Sequence, residues 1–121
     1  MTGGGSGFGA GIARKFSAEG ARVVVADINP DAARSVAAEI GGIAVMVDVS
    51  DNASVAALAY EAADALGDID ILVNNAGMGT VAAPADTRRF LDLPPSEWAR
   101  AMALSLDTAV LTTRAFLPDM V

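Results

Sequence analysis

The sequence predicts an α/β protein in which a parallel sheet is covered by helices on both faces, a doubly wound arrangement. Three observations carry this. The apolar runs Arg22 to Asp27, Ile43 to Val47 and Ile69 to Val73 are short and suit strands buried on both sides. The stretches between them repeat their apolar residues with helical spacing, and glycines or capping residues separate each run from the next. Strand and helix simply alternate, without internal repeats, and that order favours parallel pairing through helical crossovers. At 121 residues the chain has the size of one domain, residues 1–121.

Each element has its own justification. From Gly9 to Gly20, Ile12, Ala13 and Phe16 share a helical face and Gly20 is a stop. After the strand ending at Asp27, Asn29 is a helix cap with Pro30 at the first helical position, and Ala33, Val36, Ala37 and Ile40 form a stripe that ends at Gly41. Beyond Val47, Ser50 or Asp51 caps a third helix whose stripe is Val55, Leu58, Ala59, Ala62 and Leu66, closed by Gly67. Ile69 to Val73 reads as a strand despite Asp70, and Asn74-Asn75-Ala76-Gly77 turns the chain out of it. Gly77 to Pro95 reads as a long loop in which Arg88 and Arg89 are most simply a solvated pair, with pairing to a substrate carboxylate as the other reading. Ser96 is then the expected cap of a last helix that carries Trp98, Met102, Leu106 and Ala109 inward, as core or subunit interface, and ends at Phe116 or Leu117, before Pro118.

Composition narrows the chemistry. Hydrophobic residues are 53% of the chain but aromatics only 5%, so the interior is expected to be small side chains on helices and strands. A net charge of −7 with scattered basic residues argues against nucleic acid as a partner. The chain has no cysteine and no histidine, which removes disulfides, thiolate nucleophiles and the usual metal ligands; no metal site is expected. No apolar run is long enough for a membrane span and no signal peptide is evident, so no membrane association is expected and the default location is cytoplasmic.

The glycine-rich start is the most specific feature. Thr2 to Gly9 read Thr-Gly-Gly-Gly-Ser-Gly-Phe-Gly, and Asp27 follows 18 positions after Gly9 at the end of an apolar run. Glycines allow a sharp turn and close approach to a pyrophosphate, while the helix that follows offers unpaired N–H groups and the positive end of its dipole. A carboxylate about 20 residues on accepts hydrogen bonds from ribose hydroxyls and repels a 2′-phosphate. The pattern therefore reads as a dinucleotide site that favours NAD over NADP.

With this loop, Asp27, Asp48-Val49 after the third strand and Asn74-Asn75-Ala76-Gly77 after the fourth, the chain resembles the short-chain dehydrogenase/reductase family, across essentially its whole length and most clearly from Thr2 to Gly77. The glycine pattern of that family is matched at Thr2, Gly3, Gly7 and Gly9. The resemblance implies a partial NAD(P)-binding Rossmann domain from an oxidoreductase that moves hydride between a nicotinamide and an alcohol or ketone. It implies that Gly3, Gly4, Gly5, Ser6, Gly7, Phe8 and Gly9 wrap the pyrophosphate, with Ser6 donating its hydroxyl. Asp27, with the backbone of Ile28, would hold the adenosine ribose. Asp48 would bond the adenine amino group beside Val49, and Asn75, Ala76 and Gly77 would line the path to the nicotinamide ribose. The family also forms dimers and tetramers, partly through the helix that here includes Trp98 and Leu106.

Two departures qualify the resemblance. The family's catalytic Tyr-x-x-x-Lys pair is absent: the one tyrosine is Tyr60 and the one lysine is Lys15, so no catalytic residue is assigned. Where the family has a supporting asparagine, this chain has Ser105. The chain also starts inside its own motif, so the family's first strand, which lies between the second and fourth in the order 3-2-1-4-5-6-7, is expected to be missing, as are strands 5 to 7. Unpaired ladder groups at about 1–3 kcal/mol each would then exhaust a stability of about 5–15 kcal/mol, and the fragment is expected to be unstable alone, unless strands 2 and 4 close the gap or another chain supplies the strand, to bind NAD weakly or not at all, and to be inactive. Two other readings stay open: a noncatalytic nucleotide-binding or interaction module, and, more remotely, a methyltransferase that binds S-adenosylmethionine on a related sheet.

Overall fold

A computed structural model describes residues 1–77, 90–92 and 94–121. In chain order its elements are α1 (Gly7–Ala18), β1 (Val24–Asp27), α2 (Pro30–Ile40), β2 (Ile43–Met46), α3 (Asn52–Leu66), a 3-10 turn (Phe90–Asp92), α4 (Pro95–Met102), a π-helical turn (Ala103–Asp107) and α5 (Thr108–Met120). The expected loop residues 78–89, with Pro84, Arg88 and Arg89, lie outside the described residues.

β1 and β2 pair in parallel, with Val24 opposite Ile43 and Asp27 opposite Met46. Alternation along β1 divides the interior in two, because successive strand side chains point to opposite faces. Val24 and Ala26 join Val45, Val47, Val55, Leu58, Ala62 and Phe116 on the α3/α5 side. Val23 and Val25 join Ala10, Ala13, Ala33, Val36 and Ala37 on the α1/α2 side. This is the expected sheet with helices on both faces. Its small side chains let α1 and α2 sit close to β1 and to each other: Ala13 and Ala33 are fully buried.

The helix starts follow the capping residues. Asn29 accepts from the amides of Asp31 and Ala32 at 3.1 and 3.2 Å, and Pro30 opens α2. Asp51, not Ser50, caps α3 by accepting from Ala53 and Ser54. Ser50 instead donates its hydroxyl and amide to Asp48 at 2.6 and 2.9 Å.

Three expectations need correction. Ile69 to Val73 forms no regular strand among the described residues; its recorded ladder contact is the bond from the Thr2 amide to the Val73 carbonyl, 3.0 Å. A strand needs a partner along its length, and among the described residues the pairing of this segment is the bond from Thr2. Met1 and Thr2 lie on the line between β1 and Val73, where Thr2 makes an isolated parallel bridge to Ala26. The last helix starts at Pro95 with Pro94 as its cap residue, two positions before the expected cap Ser96, and the helical path passes through Pro118 to Met120. In the final turn a proline forfeits a single helix bond, which α5 tolerates. Finally, Trp98 and Leu106 do not point into the core: they are 55% and 52% exposed, and Met102, Val110 and Leu117 are exposed as well.

Candidate nucleotide-binding cleft

The glycine loop, the carboxyl ends of β1 and β2, and the segment after Val73 converge on one open cleft of about 980 Å³. Main-chain bonds build it. Thr2 runs beside β1, with the Ala26 amide bonded to the Met1 carbonyl at 2.9 Å and the Gly4 amide to the Ala26 carbonyl at 3.1 Å. The chain then turns through Gly3, at φ 63°, into α1. Close packing makes glycine necessary at position 9, where a Cβ would stand 2.0 Å from the Gly3 carbonyl oxygen and 2.5 Å from Asn75 Nδ2.

Gly3, Ser6, Gly7 and Phe8 line the cleft. Ser6 is the N-cap of α1 and its hydroxyl makes no capping bond. The amides of Gly7, Phe8 and Gly9 fall in the first turn, where a helix supplies no acceptor of its own, and the dipole adds partial positive charge there. Of the loop glycines expected at the site, Gly4, Gly5 and Gly9 do not line the cleft. They shape the turn from behind, because Gly4 packs on Val25 and Met1, Gly5 on Ala32 and Asp27, and Gly9 on Gly3 and Asn75.

Asp27 ties the loop to the sheet. Its Oδ2 accepts from the Gly5 amide at 2.9 Å and its Oδ1 from the Asn29 amide at 3.0 Å. Both oxygens face backbone donors on one side and keep lone-pair capacity for hydroxyls in the cleft, which Asp27 and Ile28 line. Asp48 and Val49 form the next stretch of wall. The Ser50 hydroxyl and then its amide hold the Asp48 carboxyl below the ordinary range, so it is an acceptor at neutral pH. Val49 also packs against the core beneath.

Asn75, Ala76 and Gly77 close the far side. Asn75 Nδ2 donates to the carbonyls of Thr2 and Gly3 at 3.2 and 3.0 Å. Asn74 turns away from the cleft, its Nδ2 donating to Thr113 Oγ1 at 3.0 Å and its Oδ1 accepting from Thr112 Oγ1, so it fastens this segment to α5. Ser105 lies in the π-helical turn, its hydroxyl 3.8 Å from where a Gly77 Cβ would be.

Leu104 and Val47 line the cleft without having been singled out in the sequence. Thr2 is a further residue whose role the sequence left unread: its buried hydroxyl donates to the Val73 carbonyl at 3.4 Å and accepts from the amides of Asn75 and Ala76 at 3.2 Å each. Nothing local marks this, since the partners are more than 70 positions away. Tyr60 is exposed on α3 and Lys15 pairs with Glu19 on α1; neither lines the cleft.

A glycine turn into a helix, followed by an acid at the end of the next parallel strand, defines a Rossmann-type α/β protein. The family model for short chain dehydrogenase matches residues 1–121, and the chain belongs to that oxidoreductase family. It is 38% identical over 123 residues to meso-2,3-butanediol dehydrogenase of Serratia marcescens, a match that covers 99% of this chain and 47% of that protein. Among solved structures, 3-ketoacyl-(acyl-carrier-protein) reductase from Brucella melitensis, complexed with NADH, superposes with a TM-score of 0.82 at 39% identity, covering 98% of this chain and 48% of that one. A metagenomic short-chain oxidoreductase in complex with NADP gives 0.78 at 38% identity, covering 99% and 54%. The chain thus spans about half the length of the proteins it matches.

Proposed function

We propose that residues 1–121 are the cofactor-binding part of a nicotinamide-dependent oxidoreductase acting on a small-molecule alcohol or ketone, with NAD preferred over NADP. The observation that carries this reading is the 2.9 Å bond from the Gly5 amide to Asp27 Oδ2, which joins the glycine loop and the acid on one cleft wall. Bound there, the cofactor would supply the hydride chemistry. In this reading the first-turn amides of α1 and the Ser6 hydroxyl hold the pyrophosphate, while Gly3, Gly4, Gly5 and Gly9 keep the turn low enough to admit it. Asp27 and the Ile28 backbone orient the adenosine ribose, Asp48 accepts from the adenine amino group beside Val49, and Asn75 to Gly77 border the nicotinamide ribose.

The preference for NAD follows from charge. Asp27 is fixed by two backbone donors, so it stays where a 2′-phosphate would have to sit and repels it. No residue of the chain provides the family's Tyr-x-x-x-Lys pair, so the proton transfer that accompanies hydride movement is not available within residues 1–121, and these residues alone should turn over no alcohol or ketone.

Fluorescence titration of residues 1–121 with NADH and NADPH tests the reading. Binding is expected to be weak, with NADH ahead of NADPH, and Asp27→Ala should narrow that preference by about tenfold, roughly 1.4 kcal/mol. Equal or tighter binding of NADPH by the unsubstituted chain would falsify the cofactor preference, and absorbance change with alcohol or ketone would overturn the inactive-fragment reading.

A further inference from the structure

All but one of the polar atoms of Asp48 are committed within its own loop. Its amide donates to the Ser54 hydroxyl at 3.0 Å, and its carbonyl accepts from the Asp51 amide at 3.1 Å. Its Oδ1 takes both the Ser50 hydroxyl, at 2.6 Å, and the Ser50 amide, at 2.9 Å, while no donor among the described residues reaches Oδ2. One carboxylate oxygen is held and the other is open, on a residue that lines the nucleotide cleft.

The start of α3 does not require the Ser50 hydroxyl. Asp51 caps that helix by accepting from Ala53 and Ser54, so the Ser50 hydroxyl stands outside the cap and serves Asp48 alone. A second donor on Oδ1 restrains the carboxylate that a single amide would leave freer to turn, and it favours the ionised form. The other ionisable groups in these surroundings are Asp27, which lines the same cleft, and Asp51 in the same loop. Both are carboxylates, and no basic side chain is among the described residues lining the cleft. Hydrogen bonding from Ser50, not a counter-charge, therefore keeps Asp48 an anion.

With the cleft read as a dinucleotide site, as above, we propose that Ser50 is the positioning residue that sets its base selectivity, by holding Asp48 as a fixed, acceptor-only carboxylate for an amino purine and against an oxo purine. The amino group of adenine donates to the open Oδ2. Hypoxanthine presents a carbonyl oxygen at the same place, which a fixed carboxylate repels and a turned or protonated one tolerates. Ser50 acts through Asp48 and not on the base itself.

The test is fluorescence titration of residues 1–121 with NADH and with reduced nicotinamide hypoxanthine dinucleotide. The two differ only in the base, so a change in overall folding or in the phosphate site cancels from the ratio of their affinities. The unsubstituted chain is expected to favour NADH by about tenfold, and Ser50→Ala to cut that ratio about threefold. Ser50→Thr keeps a hydroxyl and should restore it. Asp48→Ala should abolish the preference, and in its background Ser50→Ala should change nothing further. Without nucleotide, carboxyl-carbon NMR should show a higher titration midpoint for Asp48 in Ser50→Ala than in the unsubstituted chain or in Ser50→Thr. Binding of neither dinucleotide overturns the cofactor reading and the selectivity with it. An unchanged ratio in Ser50→Ala overturns the role of Ser50 alone, as does an Asp48 midpoint that the substitution leaves in place.

Discussion

Thr2 serves three backbone groups with one hydroxyl, and its 2% exposure means that water cannot replace it. Thr2→Val keeps the shape and removes the bonds, stranding the amides of Asn75 and Ala76. The expected loss is about 1–3 kcal/mol in urea denaturation, together with a looser Asn75–Gly77 wall. Met1 behaves differently because it carries charge. Burial lowers its α-amine from the ordinary 8.0 to about 6. Between pH 6 and 8 the folded chain therefore binds fewer protons than the unfolded one, so stability rises with pH across that window, by up to about 2–3 kcal/mol, and this contribution is lost as pH falls to 6. The chain has no histidine to titrate in the same range. Denaturation midpoints at pH 6 and pH 8 check the sign. Asp48, held down by Ser50, acts in a separate acid window below the ordinary carboxylate range.

At the scale of elements, the site is where helix starts meet strand ends. Gly9→Ala drives a methyl into the Gly3 carbonyl and Asn75, so the turn must open. A cost of about 1–3 kcal/mol is expected, with loss of nucleotide affinity beyond what the stability change explains. Asn29→Ala removes the α2 cap without touching the cleft lining and should cost about 0.5–2 kcal/mol in thermal or urea denaturation while leaving the preference between NADH and NADPH unchanged. These elements were largely legible in the sequence because capping and stripe patterns are local. The stripes of α2 and α3 gave the buried Ala33, Val36 and Ala37 and the buried Val55, Leu58 and Ala62. The π-helical turn Ala103–Asp107 was not legible: it adds a residue to the helical turn, and the Thr108 hydroxyl takes the Leu104 carbonyl at 2.9 Å, a substitution of side chain for backbone that periodicity cannot show.

On the scale of the whole molecule, the half-exposed stripe Trp98, Met102, Leu106, Val110 and Leu117 along the last helical segment is the feature that the interior leaves over. We propose that this exposed apolar stripe packs in a dimer or tetramer, the assembly that the family resemblance implies. Leu106→Glu, on the exposed face, should then lower the sedimenting mass of the assembled protein while sparing the fold of a subunit; an unchanged mass would remove the stripe from the interface.

The order of strands and helices, the glycine turn and the acid at the end of β1 were set by the sequence itself, because each rests on backbone freedom, capping or periodicity within a few residues. The tertiary structure alone decided that Gly4, Gly5 and Gly9 support the turn rather than line the cleft, that Thr2 and Asn75 lock it, and that Trp98 and Leu106 face outward. Those outcomes depend on which distant backbone groups come within hydrogen-bonding reach and which helix faces find a partner, and residues more than 70 positions apart carry no local mark of either.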